Sequence, residues 1–247
     1  MDNKMPQHTI TRYDQELESL RAIMAHMGEL VKQQTTLAIT AVVDQDEHAA
    51  YEASALDRHV DALERHVESL GIRILALRAP MASDLRMIVA ALKMSSDLER
   101  IGDYAASIAH RSRKAIPLDN NFSFSALRAM GHMVEENLHR AITAMVNNDA
   151  ELAQEVWRSD TIIDDLYTTM FRELVTYMME TPRHIGICIH LFIIAKNLER
   201  IGDHATNIAE RVYYAVTGQM LPTTRPRGGE STRESPHEIS IKPQTET

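Results

Sequence analysis

The same six residues occur twice in this chain, one hundred positions apart: Leu98-Glu99-Arg100-Ile101-Gly102-Asp103 and Leu198-Glu199-Arg200-Ile201-Gly202-Asp203. Carried on to Arg111 and Arg211, ten of fourteen positions are identical. Each copy sits in a long helical pattern, yet each holds two features that helices disfavour. A glycine in a helix interior costs about 1 kcal/mol against alanine. Glu99/Asp103 and Glu199/Asp203 place like charges at i,i+4, where they repel by a few tenths of a kcal/mol. The same penalties accepted twice imply compensation from outside the helix.

A helical projection shows where that compensation lies. Glu99, Asp103 and Ser107 share one face, with Arg100 and Arg111 at its edge and Ile101 and Ile108 opposite. Gly102, Ala105, Ala106 and Ala109 form a strip of small residues along which another backbone can approach closely. The strip explains the glycine without chemistry. The carboxylates remain as a separate face that needs a cation, either a metal ion or a neighbouring arginine.

The rest of the chain is helical in character. Aromatic residues make up 5%, while Met reaches 14, a balance suited to helices rather than sheets. At 247 residues the chain can bury one substantial core or two modest ones. A formal net charge of -9 argues against nucleic acid or an anionic membrane as the main partner. The single cysteine, Cys188, cannot form an internal disulfide, so a reducing compartment is expected. Met1 to His8 carry no apolar signal-peptide core. The longest apolar run, Ile185 to Ala195, is interrupted by His190 and falls short of the ~20 residues of a membrane span. These features predict a soluble, cytoplasmic protein without direct membrane insertion.

Thr11-x-x-Asp14 reads as a helix start. Leu17, Leu20, Ile23, Met24, Met27, Leu30 and Val31 then recur at spacings of three and four, continuing through Leu37, Ala38, Ala41 and Val42. At about 1.5 Å per residue this is a rod near 50 Å long. A second helix is predicted from about Asp46 to Arg78, with Leu56, Val60, Leu63, Val67, Leu70, Ile74 and Leu77 on its buried stripe and a kink or close contact at Gly71. A third follows Pro80 and Ser83-Asp84, carries the first copy of the motif and ends before Pro117.

After the polar turn Asp119-Asn120-Asn121 the plan restarts. Met27-Gly28 recurs as Met130-Gly131, and Ala38-Ile39-Thr40-Ala41 as Ala141-Ile142-Thr143-Ala144, both displaced by 103. At that displacement Asp46 maps to Asp149, Asp57 to Asp160 and Asp61 to Asp164. The last helix maps at 100, so the second copy lacks three residues in the turn before it. There Thr181 and Pro182 read as an N-cap and an N1 proline. The expected fold is all-α: two tandem three-helix bundles, residues 9–117 and 122–218. A tail over 219–247, with four basic and four acidic side chains and no apolar period, is expected to be disordered.

The second helix of each unit supplies its own i,i+4 carboxylates, Asp57/Asp61 and Asp160/Asp164. Antiparallel packing on the third helix would let them converge with Glu99/Asp103 and Glu199/Asp203. Oxygen-rich clusters suit hard or borderline cations such as magnesium, manganese and iron. Structural ion pairs with Arg58, Arg100 and Arg200 account for the same faces without metal. Other constellations are weaker. Glu136-x-x-His139 is the only helical Glu-x-x-His, where a ferritin-like di-metal bundle needs two. His59, His66 and His204 are single histidines, and Cys188 reads as a core residue. There is no phosphate-binding glycine loop and no legible nucleophile–base arrangement, so no catalytic residue is assigned.

The duplicated Leu-Glu-Arg-Ile-Gly-Asp, the turn Arg78-Ala79-Pro80-Met81-Ala82-Ser83-Asp84-Leu85-Arg86 and the stretch Tyr177-Met178-Met179-Glu180 resemble the PhoU family, over roughly residues 9 to 218. The resemblance implies tandem three-helix bundles, commonly dimeric, and a regulator rather than an enzyme. It implies a negative regulator of the phosphate-starvation response and of phosphate uptake. Such proteins act as adaptors between the ATPase of the phosphate ABC transporter and a sensor histidine kinase. It also implies that iron or zinc can occupy the acidic motifs in some members. Asp57, Asp61, Glu99 and Asp103 match one such set, and Asp160, Asp164, Glu199 and Asp203 the other. The copies depart from each other where Thr161 follows Asp160 in place of Arg58, where Ser107 matches Asn207, and where Tyr104 matches His204. Two further readings stand beside the adaptor: a metal-dependent helical enzyme acting on phosphorylated substrates, and a scaffold that reaches the membrane only through partners.

Overall fold

The structure, a computed structural model, describes residues 7–115, 124–159 and 161–222, and all regular structure among them is helical. Helices α1 (Gln7–Val43), α2 (Glu47–Arg78) and α3 (Ala82–Ala115) form the first bundle. Helices α4 (Ser125–Asn147), α5 (Ala150–Ser159), α6 (Thr161–Glu180) and α7 (Ile185–Thr217) form the second. Here α5 and α6, on either side of position 160, together take the place of α2. In each bundle the helices pack pairwise around buried Leu, Ile, Val, Met and Ala side chains, and α3–α7 and α1–α4 join the two.

The repeat is visible atom by atom. Asp46 caps α2, its carboxylate accepting from the backbone N–H of His48 at 2.8 Å and Ala49 at 3.1 Å. Asp149 does the same for α5, accepting from Glu151 and Leu152, both at 3.0 Å. Each cap satisfies backbone donors that the helix leaves open. The α1–α4 seam is reciprocal. A Cβ on Gly28 would come within 2.9 Å of Ile142 Cγ2, and one on Gly131 within 2.8 Å of Ile39 Cγ2. These four residues are two copies of one contact, so the bundles are related by an approximate two-fold.

The small-residue strips do what the sequence predicts. Gly102 is buried, with Gln34 Oε1 at 3.0 Å and Val60 Cγ1 at 3.3 Å from where a Cβ would stand; at Gly202 Ile163 Cδ1 would be 2.8 Å away. Gly71 is a close contact rather than a break, since α2 runs through it and a Cβ there would stand 2.7 Å from Leu92 Cδ2. Cys188 is buried and free.

Local expectations fail at three places. Helix α1 is already formed at Gln7, so Thr11-x-x-Asp14 is interior rather than a start. Leu77 is 67% exposed: in the last turn of α2 it is Leu75 and Arg78 that face the fold, and Leu77 points away from it. Thr181 makes no side-chain cap; it precedes a single 3₁₀ turn, Pro182–His184, that leads into α7. The turn at Asp119-Asn120-Asn121 and the tail beyond residue 222 lie outside the described residues.

Candidate functional site

The acidic face of the first bundle lies along α2 and α3. Asp57, Asp61 and Glu99 are half-buried and Asp103 is exposed. Gln34 of α1 donates from Nε2 to Asp57 Oδ1 at 3.3 Å. Burial pushes the Asp57 carboxyl up; the Gln34 bond opposes this, and the negative charges of Asp103 and Asp61 add to it. Glu99 is pushed up to about 7, first by burial, then by the charges of Asp103 and Glu64, with Arg100 partly offsetting them and Asp61 adding to them. A carboxyl this close to neutrality marks a site short of positive charge.

Glu64 belongs to the same face, although the sequence comparison passes over it. It is half-buried and raised by burial and by Glu68, Asp61 and Asp103, against Arg65. Its counterpart at a displacement of 103 is Tyr167, so repeat matching discards it. The signal that finds it is its position, three residues after Asp61 and seven after Asp57 on one helix face. None of these five carboxylates is ion-paired among the described residues, and Arg58 and Arg100 form no pair with them.

The second face is built differently. Lys196 Nζ lies 2.6 Å from both Glu199 carboxylate oxygens and 5.2 Å from the centre of the Tyr167 ring. The corresponding residues of the first bundle are Ser96, which is exposed, and Glu64. One acid has become an aromatic ring and one serine a lysine, so this carboxylate carries its own cation. Asp164 is exposed on α6, Asp203 is partly buried on α7, and Asp160 lies outside the described residues. Among the described residues no three His, Cys, Asp or Glu side chains stand close enough together to hold a metal ion. Carboxylate oxygens are the donors a hard cation takes, but on the first face they are not converged on one point; on the second, Lys196 already supplies a positive charge. Arg200 rests instead on Tyr104, its guanidinium 5.5 Å from the ring centre.

Between the bundles the α3–α7 seam is polar, which the sequence does not reveal. Asp97 is buried and accepts from His204 Nδ1 at 2.9 Å and Arg211 Nε at 2.5 Å. Burial alone would raise the Asp97 carboxyl, but these two donors and their charges outweigh it and hold it below the usual carboxylate range. At the far end of α1, Glu16 is buried against Arg78 at 2.9 Å, and this hydrogen bond holds its carboxyl low. Tyr13, beside it, donates to Asp84 at 2.8 Å and is pushed up to about 12 by burial and by that bond. His59, His66, Glu136 and His139 are exposed and far from forming a ligand set. No helix among the described residues is long and apolar enough to cross a membrane.

Comparison with known proteins gives one consistent answer. The family model described as the PhoU domain matches twice, at residues 24–112 and 127–212. The phosphate-specific transport system accessory protein PhoU homolog of Zymomonas mobilis is 43% identical over 90% of this chain and 93% of its own. The homolog of the same name from Xylella fastidiosa is 43% identical over 90% of this chain and 94% of its own. The crystal structure of PhoU from Pseudomonas aeruginosa superposes with a TM-score of 0.81 at 39% identity, covering 84% of this chain and 100% of that one. The phosphate transport system regulatory protein PhoU from Streptococcus pneumoniae gives 0.78 at 28% identity, covering 85% and 99%.

Proposed function

The chain belongs to the PhoU family, and from that premise we propose that it is a negative regulator of the phosphate-starvation response and of phosphate uptake. It works without catalysis, as a cytoplasmic adaptor between the ATPase of the phosphate ABC transporter and a sensor histidine kinase. The observation that carries this reading is the likeness, over nine-tenths of the chain, to relatives named as accessory proteins of phosphate-specific transport. Deletion of the gene should switch on a phosphate-starvation reporter in phosphate-rich medium, and the protein should co-purify with both partners. An unchanged reporter would overturn the proposal.

The protein is proposed to act as a homodimer. Phe171, Val175 and Met179 recur every fourth residue on α6 and are 44%, 38% and 79% exposed, a stripe that a second copy can cover. A monomer by light scattering at micromolar concentration would exclude this.

One observation favours a second reading. The first acidic face carries five carboxylates, Asp57, Asp61, Glu64, Glu99 and Asp103, with no ion pair among the described residues; as the side chains lie no three of them converge, so a resident cation would have to draw them together. Magnesium, manganese, iron or zinc bound there would supply a Lewis acid for phosphorylated substrates, the basis of a metal-dependent enzyme. Metal analysis of purified protein separates the readings: less than stoichiometric metal, unaffected by Asp103→Ala, removes the enzyme's basis and leaves the adaptor standing.

A further inference from the structure

We propose that the end of the α3–α7 seam at Arg111, Lys114 and His190 binds a small tetrahedral oxyanion. The argument starts from the approximate two-fold that relates the bundles. It maps Asp97 to Asn197, Arg211 to Arg111 and His204 to Tyr104. On one side Asp97 gathers Arg211 and His204 at 2.5 and 2.9 Å. On the other the central residue is neutral: Asn197 is buried, and its side-chain amide donates to Ser107 Oγ at 3.0 Å. Arg111 therefore has the place of Arg211 without its acid.

The consequence is visible in the atoms. Arg111 Nε is buried with no acceptor, and Arg111 makes no hydrogen bond or ion pair among the described residues. His190 Nδ1, on α7, is also buried without a partner. Burial, and then the positive charges of Arg111 and Lys114, hold His190 below the ordinary histidine range, and no carboxylate among the described residues offsets them. Buried polar groups are almost always satisfied, and an orphan points to a missing water or ion. A water would supply an acceptor but leave the guanidinium charge uncompensated. A tetrahedral oxyanion supplies both, with paired oxygens that match the planar N–H fork of arginine. Arg111 is only partly buried and Lys114 is exposed, so the ion has a route in from solvent. The site is separate from both acidic faces and does not depend on the adaptor reading.

The test uses the full chain, exchanged into a buffer free of oxyanions, with inorganic phosphate, sulfate and chloride compared at constant ionic strength by calorimetric titration and thermal melting. Phosphate or sulfate should bind saturably and raise the Tm, and chloride should not. Arg111→Gln should weaken binding about tenfold or more. Asn197→Asp should restore the missing acid, raise the Tm in anion-free buffer and abolish the response to both oxyanions. The proposal is overturned by an equal shift with chloride, by full retention of binding in either variant that melts cooperatively, or by no saturable binding to the parent chain.

Discussion

Position 196 decides how the two acidic faces differ. A lysine 2.6 Å from both oxygens of Glu199 neutralises that carboxylate from within, whereas at Glu99 the acidic neighbours outweigh the one arginine, Arg100. The proton on Glu99 is the measurable result. Its pKa near 7 is above that of the unfolded chain, so the native state binds the extra proton. Stability is therefore expected to fall as pH rises from about 4.5 to about 7 and to level off beyond. Glu99→Gln should flatten this slope, raising stability at pH 8 by about 1 kcal/mol, the full shift being discounted for partial exposure, and changing nothing at pH 4; the raised Asp57 and Glu64 leave the remainder. Denaturant melts at the two pH values check it. Lys196→Ser, which copies Ser96 into the second bundle, should increase the amount of manganese or zinc retained per chain; elemental analysis of dialysed protein reads this directly, and an unchanged amount would contradict it.

At the scale of helices, the two glycines of the repeated motif are not equivalent. At Gly202 a new methyl meets the far end of Ile163, which can rotate away, so Gly202→Ala should sit within about 1 kcal/mol of the parent once the gain in helix propensity is counted. At Gly102 it meets the stiff, branched Val60 and the Gln34 side chain that holds Asp57. Gly102→Ala should cost about 1–3 kcal/mol, measured as a change in denaturation midpoint. The α3–α7 seam gives a larger effect. Asp97→Ala strands Arg211 and His204 and should cost about 3 kcal/mol at neutral pH. Because the Asp97 pKa is lowered, its contribution is present above about pH 4 and disappears as pH falls further. The gap between parent and variant should close in acid.

Over the whole molecule, what the sequence discloses and what it withholds have separate physical origins. The helices, the start of α2 near Asp46 and its repeat at Asp149, and the glycine contacts were legible because each depends on residues close in sequence or on a displacement that repeats. The same logic hid Glu64, since Tyr167 breaks the match, and it made Thr11-x-x-Asp14 look like a boundary in a helix that simply continues. Leu77 has the right period, but in the last turn of α2 Leu75 and Arg78 take the covered side. The pairing of Asp97 with Arg211 depends on how α3 registers against α7, more than a hundred residues away, and no local pattern encodes that.

The crosswise locking of Gly28 under Ile142 and of Gly131 under Ile39 has an outcome for the gene itself. Neither half of this doubled chain retains the surface it would need to live alone, because each keeps its notch and its peg for the other. Expressed as two polypeptides divided between residues 116 and 123, the halves should find one another and assemble one-to-one. Either by itself should precipitate or pair with its own kind. The two sides have since diverged, with Lys196 standing against Ser96 and Asn197 against Asp97.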